Sequence, residues 1–346
     1  MIAIRVDGNP QIATGHVMRC LAIANGLKKA GQTPLFIVAD DNSEQLLHPS
    51  GYQIINLHTQ WDLLDSEIPQ ITAVLRQHTI SKLIVDTYFV TETYLSALED
   101  VCPVIYIDDL NLFRYPVSVV VNYNIYAFDI PYEEIYRGTK TKLLLGPQYA
   151  PLREEFQNIE PYIRDSAQRI LITVGGSDRY NIAGKILQEI TVDERFFGIE
   201  FHVVAGRLNP HIEELHEFAE DNPLIHIHQN VTEMAKLMQS CDLAVTAGGS
   251  TMYELCACGV PSVCFSWADN QLMSVRAFSE KGIVPCAGDM RVDEVGCIGG
   301  IIESLYELVG DKELRRGRCC LMREVVDGMG VWNLVNEVAK LKSYIR

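Results

Sequence analysis

The chain has 346 residues, 48% hydrophobic and 21% charged, with a formal net charge of −16. That length exceeds one ordinary core and suits two domains, and the acidic balance argues against nucleic acid or an anionic membrane as partner while leaving room for a small anionic ligand held by local amides. No run approaches the roughly 20 apolar residues of a membrane span, and MIAIRVDG has no basic region leading into a long apolar run, so no integral membrane association or signal peptide is expected and a cytoplasmic protein is the default.

The first half alternates short β-branched runs with helical patterns, which predicts βαβ units and a parallel sheet. Strands are expected at 2–6, 34–38, 82–86 and 104–107, with a weaker one at 118–121. Residues 16–30 place Val17, Leu21, Ala24 and Leu27 at helical spacing and close at Gly31; a second helix is expected over 61–78. Residues 122–141, with their tyrosines and Pro131, read as less regular and as containing loops. The second half repeats the logic, with strands at 169–174, 198–204, 224–228, 243–246 and 262–265, and helices at 181–190, 211–221, 231–241 and 251–258. Between the halves, Pro147, Pro151 and Pro161 mark a linker. The expected organisation is a Rossmann-like domain over 1–146, a linker over 147–168, a second Rossmann-like domain over 169–330 and a terminal helix over 331–346.

Two open parallel sheets joined by a linker imply a cleft, and ligands of such sheets bind beyond the carboxyl ends of the strands. Unusual residues fall at those ends. In ITVGGSDRYN a strand runs into Gly175 and Gly176, which allow a tight turn, while Ser177 and Asp178 are helix-capping types ahead of Asn181. In LAVTAGGSTMYELCACGVP a strand meets Gly248 and Gly249, then Ser250 and Thr251 at a helix start that favours a diphosphate. Glu254, one turn on, could accept from a ribose diol or complete a capping box. The stretch FSWADNQ offers Asn270 and Gln271 for ligand contact. In the first half, Asp86 with Tyr88, Asp108 with Asp109, and Asn122 to Asn124 also stand at strand ends. Ten cysteines include no CxxC pair, so they are expected to be buried hydrophobes, with neither disulfides nor a metal.

The segment IATGHVMRC carries the clearest chemical signal, a histidine after a glycine at a helix start with Arg19 three residues later. Gly15 permits the turn, and the helix dipole opposes a positive charge on His16, which favours a neutral imidazole able to accept a proton. Arg5 and Asp7 are expected to hold sugar groups or to pair with each other, and Arg19 to neutralise phosphate or lock Asp7.

Together, IRVDGNPQIATGHVMRCLAIA, LLGPQYAPLREEF, VGGSDRYN and AGGSTMYELCACGVP resemble the UDP-sugar hydrolases of pseudaminic acid biosynthesis, relatives of the GT-B glycosyltransferases that add N-acetylglucosamine to peptidoglycan precursors. The match runs to about residue 285. The resemblance implies a GT-B-like α/β fold with two Rossmann-like domains facing a cleft and UDP held mainly by the second. It also implies inverting, metal- and cofactor-free hydrolysis of UDP-2,4-diacetamido-2,4,6-trideoxy-β-L-altropyranose to UDP and free sugar, with His16 as the base that activates water. The segment after YIDDL departs from the family pattern, since it reads NLFRYPVSVVVNYN, and this leaves the sugar open, a legionaminic-type precursor included. A UDP-sugar-dependent glycosyltransferase is the nearest alternative; a non-catalytic nucleotide-sugar binder and an epimerase are further ones.

Overall fold

A computed structural model describes residues 1–346 apart from 10, 13, 176, 177, 207, 208, 345 and 346. The chain divides into two compact units, Met1–Arg153 with Met329–Arg346, and Glu154–Gly328.

The first unit is built on seven parallel strands: β1 (Ile2–Val6), β2 (Pro34–Val38), β3 (Gln53–Asn56), β4 (Lys82–Asp86), β5 (Val104–Ile107), β6 (Val119–Asn122) and β7 (Lys142–Leu145). Their order across the sheet is β3-β2-β1-β4-β5-β6-β7, so β1 lies between β2 and β4, with Val6 beside Asp86. All five residues of β1 and of β2 are buried, as expected of parallel strands covered on both faces. The crossovers supply α1 (Gly15–Lys29), α2 (Asp41–Leu47), α3 (Ile68–Gln77), α4 (Glu92–Glu99) and the short α5 (Tyr132–Ile135). The helix expected from residue 61 begins later, because a 3-10 turn at Leu64–Glu67 precedes Pro69, which favours a helical start and removes an amide donor.

The second unit has six parallel strands: β8 (Arg169–Thr173), β9 (Glu200–Ala205), β10 (Ile225–Gln229), β11 (Leu243–Ala247), β12 (Ser262–Ser266) and β13 (Cys286–Asp289), in the order β10-β9-β8-β11-β12-β13. Its helices are α6 (Ile182–Ile190), α7 (Ile212–Asp221), α8 (Met234–Ser240), α9 (Thr251–Cys258), α10 (Asp269–Glu280), α11 (Glu294–Gly310) and α12 (Lys312–Val325). Ile170, Ile172, Val203, Val245, Val263 and Phe265 form its core with Ile186 of α6 and Ile301 and Leu305 of α11. The last helix, α13 (Gly330–Lys340), returns to the first unit and packs on α1. Gly26 permits this approach, since a Cβ there would stand 2.3 Å from Val331 Cγ1. Eight of the ten cysteines are buried; Cys286 is half-buried and Cys320 exposed.

Candidate functional site

Polar residues that lie far apart in sequence meet where the central strands of the first unit end. Asp86 is the last residue of β4, Asp108 and Asp109 follow β5, and Asn122 closes β6. Helix α1 starts beside them, and Arg19, one turn into it, ties the ends together. Its Nε and Nη2 donate to the two oxygens of Asp86 at 2.6 and 2.5 Å. Nη2 also donates to Asp109 at 2.9 Å, and Nη1 to the Tyr123 hydroxyl at 2.7 Å. Arg19 therefore locks Asp86 rather than Asp7.

His16 sits in the first turn of α1, 8% exposed, with Nδ1 at 2.6 Å from Asp86 Oδ1 and its ring edge-on to Tyr88 at 4.6 Å. Burial alone would raise the Asp86 carboxyl, but the Arg19 guanidinium and the His16 ring hold it well below the usual range. An ionised carboxylate has no proton to give, so at 2.6 Å the proton belongs to Nδ1, and Nε2 carries the lone pair. Nε2 makes no hydrogen bond to any described residue. Asp86 thus orients His16 and keeps one nitrogen basic, the role a buried carboxylate plays behind a catalytic histidine. Tyr88 donates to Asp109 at 3.1 Å, and its hydroxyl is pushed well up by burial and by that carboxylate, so it serves as a donor. Asn124 completes the ring with a bond to Asp109 at 2.9 Å.

Of the two readings of Arg5 and Asp7, the structure shows the one in which they pair with each other. Arg5 and Asp7 are 0% and 1% exposed, and Arg5 is bound to Asp7 at 2.5 Å and to both oxygens of Glu67 at 2.8 and 2.9 Å. Asp7 spends its other oxygen on the Ala39 amide at 2.7 Å. Both are internal braces out of reach of a sugar. Asp108 is likewise internal, accepting from Tyr115, Tyr132 and the amides of Leu110 and Asn111. Reading the sequence overlooked Glu67, because its partner Arg5 is 62 residues away. Tyr123 and Asn124 stand at a polar strand end whose role spacing alone does not reveal, because their partners Arg19 and Asp109 come from other elements.

In the second unit the glycine turns differ from one another. After β8, Gly175 has φ +105° with open space around it, while Gly176 and Ser177 lie outside the described residues. Asp178 fills the start of α6, accepting from the amides of Ile182 and Ala183 at 2.7 and 3.0 Å, and Asn181 donates to Glu214 at 2.6 Å. That helix end already holds a carboxylate, which disfavours a second anion.

After β11 the arrangement is more open. Gly248 and Gly249 donate to the carbonyls of Phe265 and Ala247, so their amides are engaged. The amides of Ser250 and Thr251 donate to no described residue, and Ser250 makes no side-chain capping bond at the start of α9. Two amides and two hydroxyls are therefore free to meet an anion at this helix end. Glu254 lies one turn on, half-buried. Gly248 lets α10 approach, since a Cβ there would stand 2.3 Å from Val275 Cγ1, whereas one on Gly249 would meet nothing within 4 Å. Gln271 accepts from the Trp267 amide at 3.0 Å and so shapes the loop, while Asn270 is exposed. A pocket of about 30 Å³ lined by Asp242, Cys258 and Pro261 lies at the opposite, amino ends of β11 and β12.

No family model matches the chain. The chain is similar to the spore coat polysaccharide biosynthesis protein SpsG of Bacillus subtilis, 25% identical over 337 residues, 95% of each chain. With the uncharacterized protein MJ1062 of Methanocaldococcus jannaschii it shares 27% identity over 274 residues, 76% of this chain but 54% of that relative, about half its length. With the UDP-2,4-diacetamido-2,4,6-trideoxy-beta-L-altropyranose hydrolase of Campylobacter jejuni it shares 22% over 285 residues, 81% of this chain and 97% of the relative. Among solved structures it resembles MurG of Acinetobacter baumannii, with a TM-score of 0.69, 14% identity and coverage of 98% and 99%. A UDP co-structure of MnaA from S. aureus gives a TM-score of 0.66 at 11% identity, covering 97% of this chain and 95% of that one. The fold is that of the GT-B glycosyltransferases, two parallel-sheet α/β domains. Among the described residues no helix is long and apolar enough to cross a membrane.

Proposed function

We propose that the chain is an enzyme acting on nucleotide sugars, a hydrolase that releases UDP and free sugar from a UDP-linked diacetamido-trideoxy sugar. The observation that carries this reading is the His16–Asp86 pair with Nε2 left basic. Nε2 takes a proton from water as the water oxygen bonds to the anomeric carbon and the bond from that carbon to the phosphate oxygen breaks, inverting the centre. The imidazolium so formed is stabilised by Asp86, and UDP leaves as an anion, a group that a helix end with free amides and hydroxyls, such as that of Ser250 and Thr251, suits. The second unit supplies the nucleotide contacts, with Glu254 on the ribose, and Tyr88 lies beside the base. No metal or cofactor takes part. The named hydrolase among the relatives supports both the reaction and the sugar class.

Incubation with UDP-diacetamido sugars and no acceptor tests the proposal. The expected result is stoichiometric UDP and free sugar, followed by NMR. His16→Ala should lose roughly 10²–10⁴-fold in kcat, the usual worth of a general base, with UDP affinity retained. Asp86→Asn should fall in the same range, because an amide in place of the carboxylate favours the wrong tautomer. UDP release only on addition of a sugar acceptor would overturn hydrolysis in favour of the glycosyltransferase reading, which the likeness to MurG supports.

A further inference from the structure

On β9 and β10 of the second unit the pleat sorts side chains to two faces. Phe201, Val203, Ala205 and Ile225 enter the core, while Glu200, His202, His226 and His228 occupy the other face, with His202 and His226 directly side by side in the register. The His202 and His226 rings lie 4.9 Å apart, and His202 and His228 stack at 5.1 Å. One ligand atom each from Glu200, His202 and His226 falls within 4.8 Å of the others. His202 Nε2 is buried and has no hydrogen-bond partner among the described residues, with Glu200 Oε2 standing off at 3.7 Å.

We propose that Glu200, His202 and His226 form a binding site for a late first-row divalent cation, with Zn²⁺ as the probe ion. Two imidazoles and a carboxylate are a ligand set suited to zinc; ligands about 2.0–2.1 Å from a tetrahedral ion stand roughly 3.3 Å apart, so ligand atoms that now lie within 4.8 Å of one another draw closer around the ion. His228 supplies the outer contact: its Nε2 lies 2.9 Å from His202 Nδ1. A proton held on Nδ1 by that bond directs the lone pair of His202 Nε2 toward Glu200, which is how outer partners orient ligating histidines. Arg169 Nε holds Glu200 Oε2 at 2.8 Å and leaves Oε1 for the ion. The site uses none of the residues assigned to hydrolysis, so either reading can fail alone.

The experiment is equilibrium dialysis of the chelator-treated full chain against Zn²⁺, with metal counted by mass spectrometry. One Zn²⁺ per chain is expected for the wild type and for His16→Ala, and none for the double variant His202→Asn, His226→Asn. His228→Leu should weaken binding about 10–100-fold, the usual effect of losing an outer partner. X-ray absorption of the wild-type Zn²⁺ complex, which needs no variant to fold, should give imidazole scattering and no sulfur. Lack of saturable uptake, uptake unchanged in the double variant, loss of uptake in His16→Ala, or a sulfur shell from the cysteines would each overturn the proposal.

Discussion

Arg5 and Arg19 are both committed to carboxylates, yet they do different work. Arg5 joins β1 to Glu67 in a buried cluster that Tyr94 and the half-buried Thr59 complete with bonds of 2.6 and 2.9 Å to the same carboxylate. Removing one partner leaves the others charged and buried, so Arg5→Met should cost about 3–5 kcal/mol of stability. Urea unfolding checks this, and a large rise in KM with unchanged stability would restore the sugar-binding role. Arg19 instead sets the electrostatics around His16. Because Asp86 is held well below its ordinary range, its contribution to stability is full above the unfolded carboxylate value, about 3.9, and is lost as pH falls toward the lower folded value. The gap in melting temperature between wild type and Asp86→Asn should therefore be constant from about pH 5 to 7 and close below about pH 4. A gap that closed near neutrality would contradict the sign. Single sequence positions announced His16 and Arg19 through the glycine before them and the helical spacing. The partner that gives them meaning, Asp86, is 67 residues from Arg19 and only the strand register brings it in.

Central strands were the most legible elements. Helix α9 and strands β1, β2, β4 and β5 have the bounds that periodicity predicts, since central parallel strands are continuous apolar runs. The strands that escaped notice, β3, β7 and β13, all lie at sheet edges, are four residues long and are largely half-exposed, so their hydrophobic signal is weak. The GGST turn shows what spacing leaves undecided, because its two glycines have separate duties that only packing reveals. Gly248→Ala puts a methyl group against Val275 and should cost about 1–3 kcal/mol, an overpacking effect. Gly249→Ala has open space, so thermal stability should hold while the new methyl group stands beside the amide of the next residue, Ser250, where an anion would approach. UDP affinity should then fall about tenfold, equivalent to ~1.4 kcal/mol. Calorimetric titration with UDP alongside a thermal melt separates the two, and equal behaviour of the variants would remove the anion site from this helix end.

For the chain as a whole, the two-unit plan follows from length and from the repeated βα pattern, but the first unit is discontinuous in sequence. Its last helix is reached only after the whole second unit has been traversed. The amphipathic pattern of the final residues revealed a helix and not its partner, because an apolar stripe states that something must cover it without stating what. The partner is α1, against which Val331, Leu334, Val335 and Val338 of α13 are buried; Asn333 bonds the Gln148 carbonyl at 2.8 Å, and Glu337 pairs with Lys142. Helix α1 also carries His16 and Arg19, so the tail braces the same helix that presents the proposed base. Leu334 is 1% exposed, and Leu334→Ala should therefore destabilise the first unit by about 2–5 kcal/mol through a cavity beside α1. Hydrogen exchange localises the effect: peptides of α1, β1 and β4 should lose protection while those of β8, β11 and β12 keep theirs. Equal loss in both sets would mean that α13 stabilises the chain globally rather than as the closing element of its first unit.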